Sequence, residues 1–451
     1  MKARRLCFSW MGWMVFASLV LIRPASAQAS LPPRTLSLKQ ALQMARERQI
    51  QVLIAEERVQ QALARISQAK SSLRPQFSAS ASQYRRTVNL EAFGIEPGTA
   101  VGFDVTPPPF NVFDARIFLQ QTLFDLTARR RLNAAKSGER LSEAERGQAE
   151  AAALSLVANL YIEAQRAQDA EEYIRALQRR ERSRLGVATS EQSLGLGSAF
   201  RVTQSKAMLG SSESRVVQAH SAAVERRLDL AAALGLPQDQ EIRFTSRESW
   251  LPTGIPNSSG LEALLEAHPD IVVAKRRVDL QVAELRQEKA EYYPKIAVNA
   301  DVGASGTTPD NSTDTYSYGG QLSVPIYQGG LRRARLREAA SKIRENEAQL
   351  DQTRRDRLAD ATRALVSLRQ AQAVYRAAQL DLTRAVQALK LARDRRELGL
   401  GSDLEIVEAQ ADWAVAKDTQ SEAVATYRLA WINLEYRLGR IRQWAEELKE
   451  P

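Results

Sequence analysis

Leu194-Gly195-Leu196-Gly197-Ser198 is the stretch on which the fold turns, because the same five residues return as Leu398-Gly399-Leu400-Gly401-Ser402. Each copy interrupts a long, charged, Ala- and Leu-rich helical pattern. Each is followed by another, over Ala199 to Leu234 and over Asp403 to Leu438. Glycine takes positive φ without a Cβ clash and ends helices, so each copy reads as the turn of a long helical hairpin. Two hairpins of one design predict an internal duplication.

Working outward, the arm before the first turn is helical and free of proline from Thr127 to about Leu185, a rod of roughly 90 Å. Its counterpart runs from Leu331 to about Leu398, roughly 100 Å. Apolar residues there step by three and four: Leu358, Ala361, Leu365, Leu368, Ala371, Tyr375, Ala378, Leu382, Ala385, Leu389 and Ala392. That is a coiled-coil seam, and its alanines let neighbouring helices approach closely. The return helices stop at Leu234-Gly235-Leu236-Pro237 and Leu438-Gly439.

Before each long arm lie two strands. In the first repeat they span about 77–87 and 114–124, separated by a Gly- and Pro-rich loop at 88–112. Ile117, Leu119 and Leu123 read onto one face of the second strand, Phe118 and Phe124 onto the other. In the second repeat the strands span about 296–304 and 316–326, with a loop at 305–315 and Gly303 to Gly306 read as part of it. Ile296, Val298, Ala300 and Val302 alternate with Asn299 and Asp301. A helix from near Leu36, capped by Ser37 and broken near Gln49, precedes the first pair and ends at Arg74-Pro75. One entered at His268-Pro269 precedes the second and ends at Pro294. The repeats therefore span 28–237 and 259–440, joined by a linker at 238–258 and followed by a tail at 441–451. The hairpins occupy about 127–234 and 331–438, with tips at 194–198 and 398–402.

Residues 1–27 read as a secretory signal peptide: a basic start, an apolar run from Trp10 to Ile22, and Ala25-Ser26-Ala27 as the cleavage site. Cys7, the only cysteine, falls inside it, so the remaining chain has no disulfide or thiol chemistry. The net charge of +10 falls to about +6 without the signal. Both signs are interspersed along the helices, which argues against a nucleic-acid partner. No segment after the signal is a credible transmembrane helix. Four strands cannot close a barrel in one chain, so two readings stand: a barrel shared between chains, with Tyr316 and Tyr318 suited to an aromatic girdle, or a soluble four-stranded sheet. His220 and His268, the only histidines, lack a metal-ligand spacing, and His268 reads as structural.

The duplicated layout now joins Leu38-Lys39-Gln40-Ala41-Leu42, the prolines Pro75 and Pro294, and Val324-Pro325-Ile326-Tyr327 before Gly329-Gly330. With Glu405-Ile406-Val407-Glu408-Ala409-Gln410 after the second turn, the chain from Leu36 to Leu438 resembles the TolC-type outer membrane efflux proteins. The resemblance implies a mainly α fold with a small β part. Duplicated hairpins of three chains would form an α-barrel through the periplasm, and four strands per chain a shared 12-stranded outer membrane β-barrel. It implies a homotrimer in outer membrane lipid, coupled through a periplasmic adaptor to an inner membrane pump. Neither cofactor nor catalysis is implied.

The resemblance also implies two sites. The tips Gly195, Leu196, Gly197 and Ser198, and Gly399, Leu400, Gly401 and Ser402, would contact the adaptor, although the glycines also serve the turn itself. Glu405 and Glu408, three apart on one helix face, would ring a pore constriction with six carboxylates able to attract cations or a divalent metal. Glutamate stands where the family often has aspartate, and such pairs are also common on solvated helices. Arg201 occupies the matching position of the first repeat, from which it could pair with Glu405 or Glu408 of a neighbouring hairpin. The competing reading is a soluble periplasmic coiled-coil adaptor or scaffold, which shares long hairpins but usually has only one.

Overall fold

The computed structural model describes residues 34–89, 108–238, 240–245, 250–252, 254–256 and 260–448. The signal peptide with Cys7, most of the 88–112 loop, and parts of the linker and tail lie outside the described residues. The elements, in order, are β1 (Arg34–Leu36), α1 (Leu38–Arg48), α2 (Ile50–Ser71), β2 (Gln76–Arg86), β3 (Phe110–Asp125), α3 (Leu126–Ser193) and α4 (Ala199–Ala233). After these come β4 (Ile242–Phe244), α5 (Leu261–Leu265), α6 (Pro269–Ala290), β5 (Lys295–Thr308), β6 (Asn311–Ser323), α7 (Leu331–Glu397), α8 (Asp403–Arg437) and α9 (Ile441–Glu447).

The first helix begins at Leu38 rather than Leu36. Ser37 caps it reciprocally with Gln40: Gln40 N donates to Ser37 Oγ at 3.2 Å and Ser37 N donates to Gln40 Oε1 at 3.1 Å. The break at Gln49 is a second cap, because Gln49 Oε1 accepts from the backbone of Gln51 and Val52. The seam of α7 is buried as its spacing requires, with Ala361, Leu365, Leu368, Ala378, Ala385 and Leu389 all inside.

Other sequence readings are corrected. The 305–315 loop is almost all strand: β5 runs through Gly303 and Gly306 to Thr308, and β6 resumes at Asn311, leaving a two-residue turn. Gly303 lies opposite Arg116, and a Cβ there would overlap the Ala115 carbonyl oxygen, so this glycine admits a close backbone approach within a strand. The last strand stops at Ser323, short of 326, because Pro325 cannot donate to a ladder. Residues 34–36, ahead of the first helix, and the linker supply β1 and β4, which pair in parallel through Arg34, Thr35 and Leu36 against Ile242, Arg243 and Phe244. The tail contains α9, whose Ile441 and Ala445 are core residues.

The main sheet has the order β2-β3-β5-β6, antiparallel throughout, so the two repeats meet at β3 and β5 and the sheet ends in two open edges. Its register aligns Phe77, Leu119, Ala300 and Tyr318 on one face, with Ile117, Val302 and Tyr316 in the next row. A bulge between Thr122 and Phe124 sets Phe124 against Ile296, on this same apolar face and not with Phe118 as plain alternation suggests. Phe77, Tyr316 and Tyr318 are 71%, 76% and 80% exposed. The opposite face, Phe118 apart, is mainly polar: Arg116 donates to Asp114 at 2.7 Å and to Asp301 at 2.6 Å, and Ser317 donates to Asp301.

Below the sheet, α2, α3, α6 and α7 pack side by side in that order, and farther down α3 pairs with α4, α7 with α8, and α3 with α8. Two apolar clusters form the core, the first joining the two repeats through Ala425 and Ile432 and the second lying within the second repeat. One joins Leu38, Leu42, Leu154, Tyr161, Leu230 and Ile441, and the other joins Leu261, Leu265, Leu365, Leu368, Tyr427 and Leu434. Tyr161 reaches across to donate to the Leu36 carbonyl at 3.1 Å.

Candidate functional site

Both hairpin tips are built by one hydrogen-bond scheme. In the first, Gly195 N donates to Gln192 O at 3.0 Å and Leu196 N to Glu191 O at 2.8 Å. In the second, Gly399 N donates to Arg396 O at 3.0 Å and Leu400 N to Arg395 O at 2.9 Å. These paired bonds close the last helical turn around a left-handed glycine, at φ 74° for Gly195 and 75° for Gly399. Gly197 serves differently: a Cβ there would lie 3.0 Å from Gln192 N, too close for the crossing chain. Ser198 and Ser402 then start the return helices, their hydroxyls accepting from Arg201 N at 3.4 Å and Glu405 N at 3.2 Å.

The tips point apolar groups outward. Leu194, Leu196 and Phe200 on one, and Leu398 and Leu400 on the other, are all at least 70% exposed. Exposed leucines on a rigid turn are what a partner can bury.

Glu405 and Glu408 occupy the first two turns of α8, as their spacing requires. Within one chain each faces an arginine. Glu408 lies 3.3 Å from Arg184 of α3 and Glu405 3.9 Å from Arg395 of α7. Arg201 reaches neither; it pairs with Glu191 across its own tip at 2.7 Å. Arg396 likewise clasps Asp403 at 2.7 Å across the second tip. Sequence reading missed Arg184, Arg395 and Glu191. The basic runs just before each turn were the available signal. Among the described residues of one chain, no group of three or more His, Cys, Asp or Glu is placed to hold a metal. No helix among them is long and apolar enough to cross a membrane.

The remaining histidines act structurally. His268 caps α6, with Asp270 N donating to its Nδ1 at 3.1 Å. His220 bridges α4 to Glu171 of α3 at 2.9 Å.

Two paired helical hairpins hung from an open sheet with one apolar face define a protomer of a membrane duct. The chain belongs to the outer membrane efflux protein family, whose model matches residues 41–236 and 260–440. It is similar to the proteases secretion protein PrtF of Dickeya chrysanthemi, 25% identical over 48% of each chain. That match spans about half the length of the relative. The alkaline protease secretion protein AprF of Pseudomonas aeruginosa is 23% identical over 73% of this chain and 70% of its own. The fold is that of the Campylobacter jejuni CmeC outer membrane channel, with a TM-score of 0.71 at 19% identity over 91% of this chain and 90% of that one. The family places the chain in the outer membrane.

Proposed function

We propose that the chain is the outer membrane exit duct of a tripartite efflux or type I secretion system. It would assemble as a homotrimer with most of its mass in the periplasm. The carrying observation is the open sheet. Its strands of 11 to 16 residues are long enough for a bilayer, and its apolar face leaves Phe77, Ile117, Val302, Tyr316, Tyr318 and Leu322 exposed in one chain. Three copies joined edge to edge would bury the open edges and present the apolar face to lipid. Phe77, Ile117, Val302, Tyr316, Tyr318 and Leu322 would then find an apolar solvent. A soluble adaptor would have no use for that face.

In this reading the chain performs no catalysis and carries no resident cofactor. An inner membrane pump supplies energy, and a periplasmic adaptor docks on the exposed leucines of the tips. Glu405 and Glu408 of three chains ring the constriction. The arginines facing them, Arg184 and Arg395, partly neutralise that ring, and Arg201 would join it from the neighbouring hairpin by exchanging its Glu191 partner. Arg201→Ala is expected to raise single-channel conductance in planar bilayers, and unchanged conductance would remove Arg201 from the gate.

The founding test is fractionation of the full-length chain in a Gram-negative host. The duct reading requires outer membrane protein that runs as a trimer on a gel until heated. Protein that stays soluble in the periplasm would return the hairpins to the adaptor reading.

A further inference from the structure

A basic groove runs down one side of the α3/α6 pair, directly beneath the sheet. Arg130, Lys136 and Arg140 of α3 and Arg276 and Arg286 of α6 line it, and its volume is about 440 Å³. Asp279 is its one acid, and it is held by Arg276 at 3.1 Å. Arg130, Lys136, Arg140 and Arg286 have no ion pair or hydrogen bond among the described residues.

Helix stability does not explain these cations. α3 opens on Arg129-Arg130-Arg131 with no acid in its first turn, at the end where the helix dipole favours negative charge. The side of the groove is also defined. A second hollow is reached from α2, α3, α6 and α7 together, through residues such as Arg65, Arg131, Glu284 and Lys342. A space shared by all four side-by-side helices lies on their concave side. Arg130, Asn133, Lys136 and Arg140 project from the other side of α3, so the basic groove is convex. Because α3 and α6 are the two central helices of the layer, a neighbouring chain at α2 or α7 would not cover it.

The height follows from the helix rise. Arg130 lies four residues into α3, which follows β3 without a break, about 6 Å below the sheet, and Arg286 lies four residues before the end of α6, which residues 291–294 join to β5. That is the level of the phospholipid headgroups that face the periplasm.

We infer that this groove binds the phosphodiester headgroup of an anionic phospholipid in the periplasmic leaflet, one per protomer, anchored by Arg130 and Arg286 with Lys136 below. The inference rests on the duct reading, which sets the convex side against lipid. A cation near a charged bilayer surface contributes about fivefold in affinity, so the double variant should lose about twenty-five-fold.

The test uses the full-length trimer in neutral detergent, with bound lipid counted by native mass spectrometry. Phosphatidylglycerol should be retained in preference to phosphatidylethanolamine. R130Q/R286Q should weaken retention about twenty-five-fold and K136Q about fivefold, while R131Q, on the concave side, should leave it unchanged. Equal retention of both lipids, an unaltered R130Q/R286Q, or complete displacement by excess inorganic phosphate would each overturn the inference. A chain that is monomeric before lipid is added overturns the duct reading, and this inference with it.

Discussion

His268 shows how one buried side chain can tie stability to pH. Its Nδ1 accepts the Asp270 N–H, so the cap needs an unprotonated ring nitrogen. Burial holds its pKa below the ordinary value, opposed by Asp270 and reinforced by Arg357 and Arg437. A folded pKa below the unfolded one means that this contribution is complete above pH 6.5 and is lost as pH falls from there through the folded value. His268→Asn keeps a capping acceptor without the titration. Its thermal midpoint should therefore fall less than wild type between pH 7.5 and 5, which calorimetry of the trimer can read. Gly439 packs against the same residue: at φ 73° a Cβ would lie 2.8 Å from His268 Cα. Gly439→Ala should cost about 1–2 kcal/mol from the left-handed backbone alone, with the overlap added. The identity of His268 as a helix starter was legible from the Pro269 that follows it. Its burial was not, because it depends on Gly439 arriving from the far end of the chain.

The elements divide by whether their signal is local. Helical arms, glycine turns and the α7 seam were readable because each is written as a period or a stop within a few neighbouring residues. Strand lengths in the second repeat were not, since Gly303 and Gly306 look like loop residues until β3 closes on the first and β6 on the second. The parallel pair β1–β4 was invisible for the same reason: three residues each, from segments some 200 positions apart, carry no pattern alone. At the tips, sequence placed Glu405 and Glu408 but not the arginines that face them, which arrive from other helices. The sheet makes a sharp prediction. Val302→Arg puts a charge on the apolar face and should destabilise the membrane-inserted trimer by about 2–4 kcal/mol, whereas Ser305→Arg on the polar face should be tolerated. Heat-modifiability at graded temperatures separates the two.

The whole molecule is a duplicated rod with a sheet at one end and two tips at the other. At the tip end Glu405 and Glu408 each have a facing arginine within one chain. Glu405→Gln/Glu408→Gln should therefore leave Arg184 and Arg395 uncompensated. Single-channel recordings should show a shift from cation toward anion preference, not simply a wider pore.

The return helices α4 and α8 both have 35 residues, and the arms α3 and α7 have 68 and 67. That near-equality works as a vernier. One residue added to a single helix would lift its tip by about 1.5 Å and swing its apolar stripe by about 100°, so the two tips would lose both level and facing. Only seven residues inserted into all four segments would keep stripe on stripe, lengthening the rod by about 10 Å. The reach of such a rod across a compartment is thus a quantised property: it can change by whole heptads shared among four helices, and by nothing smaller.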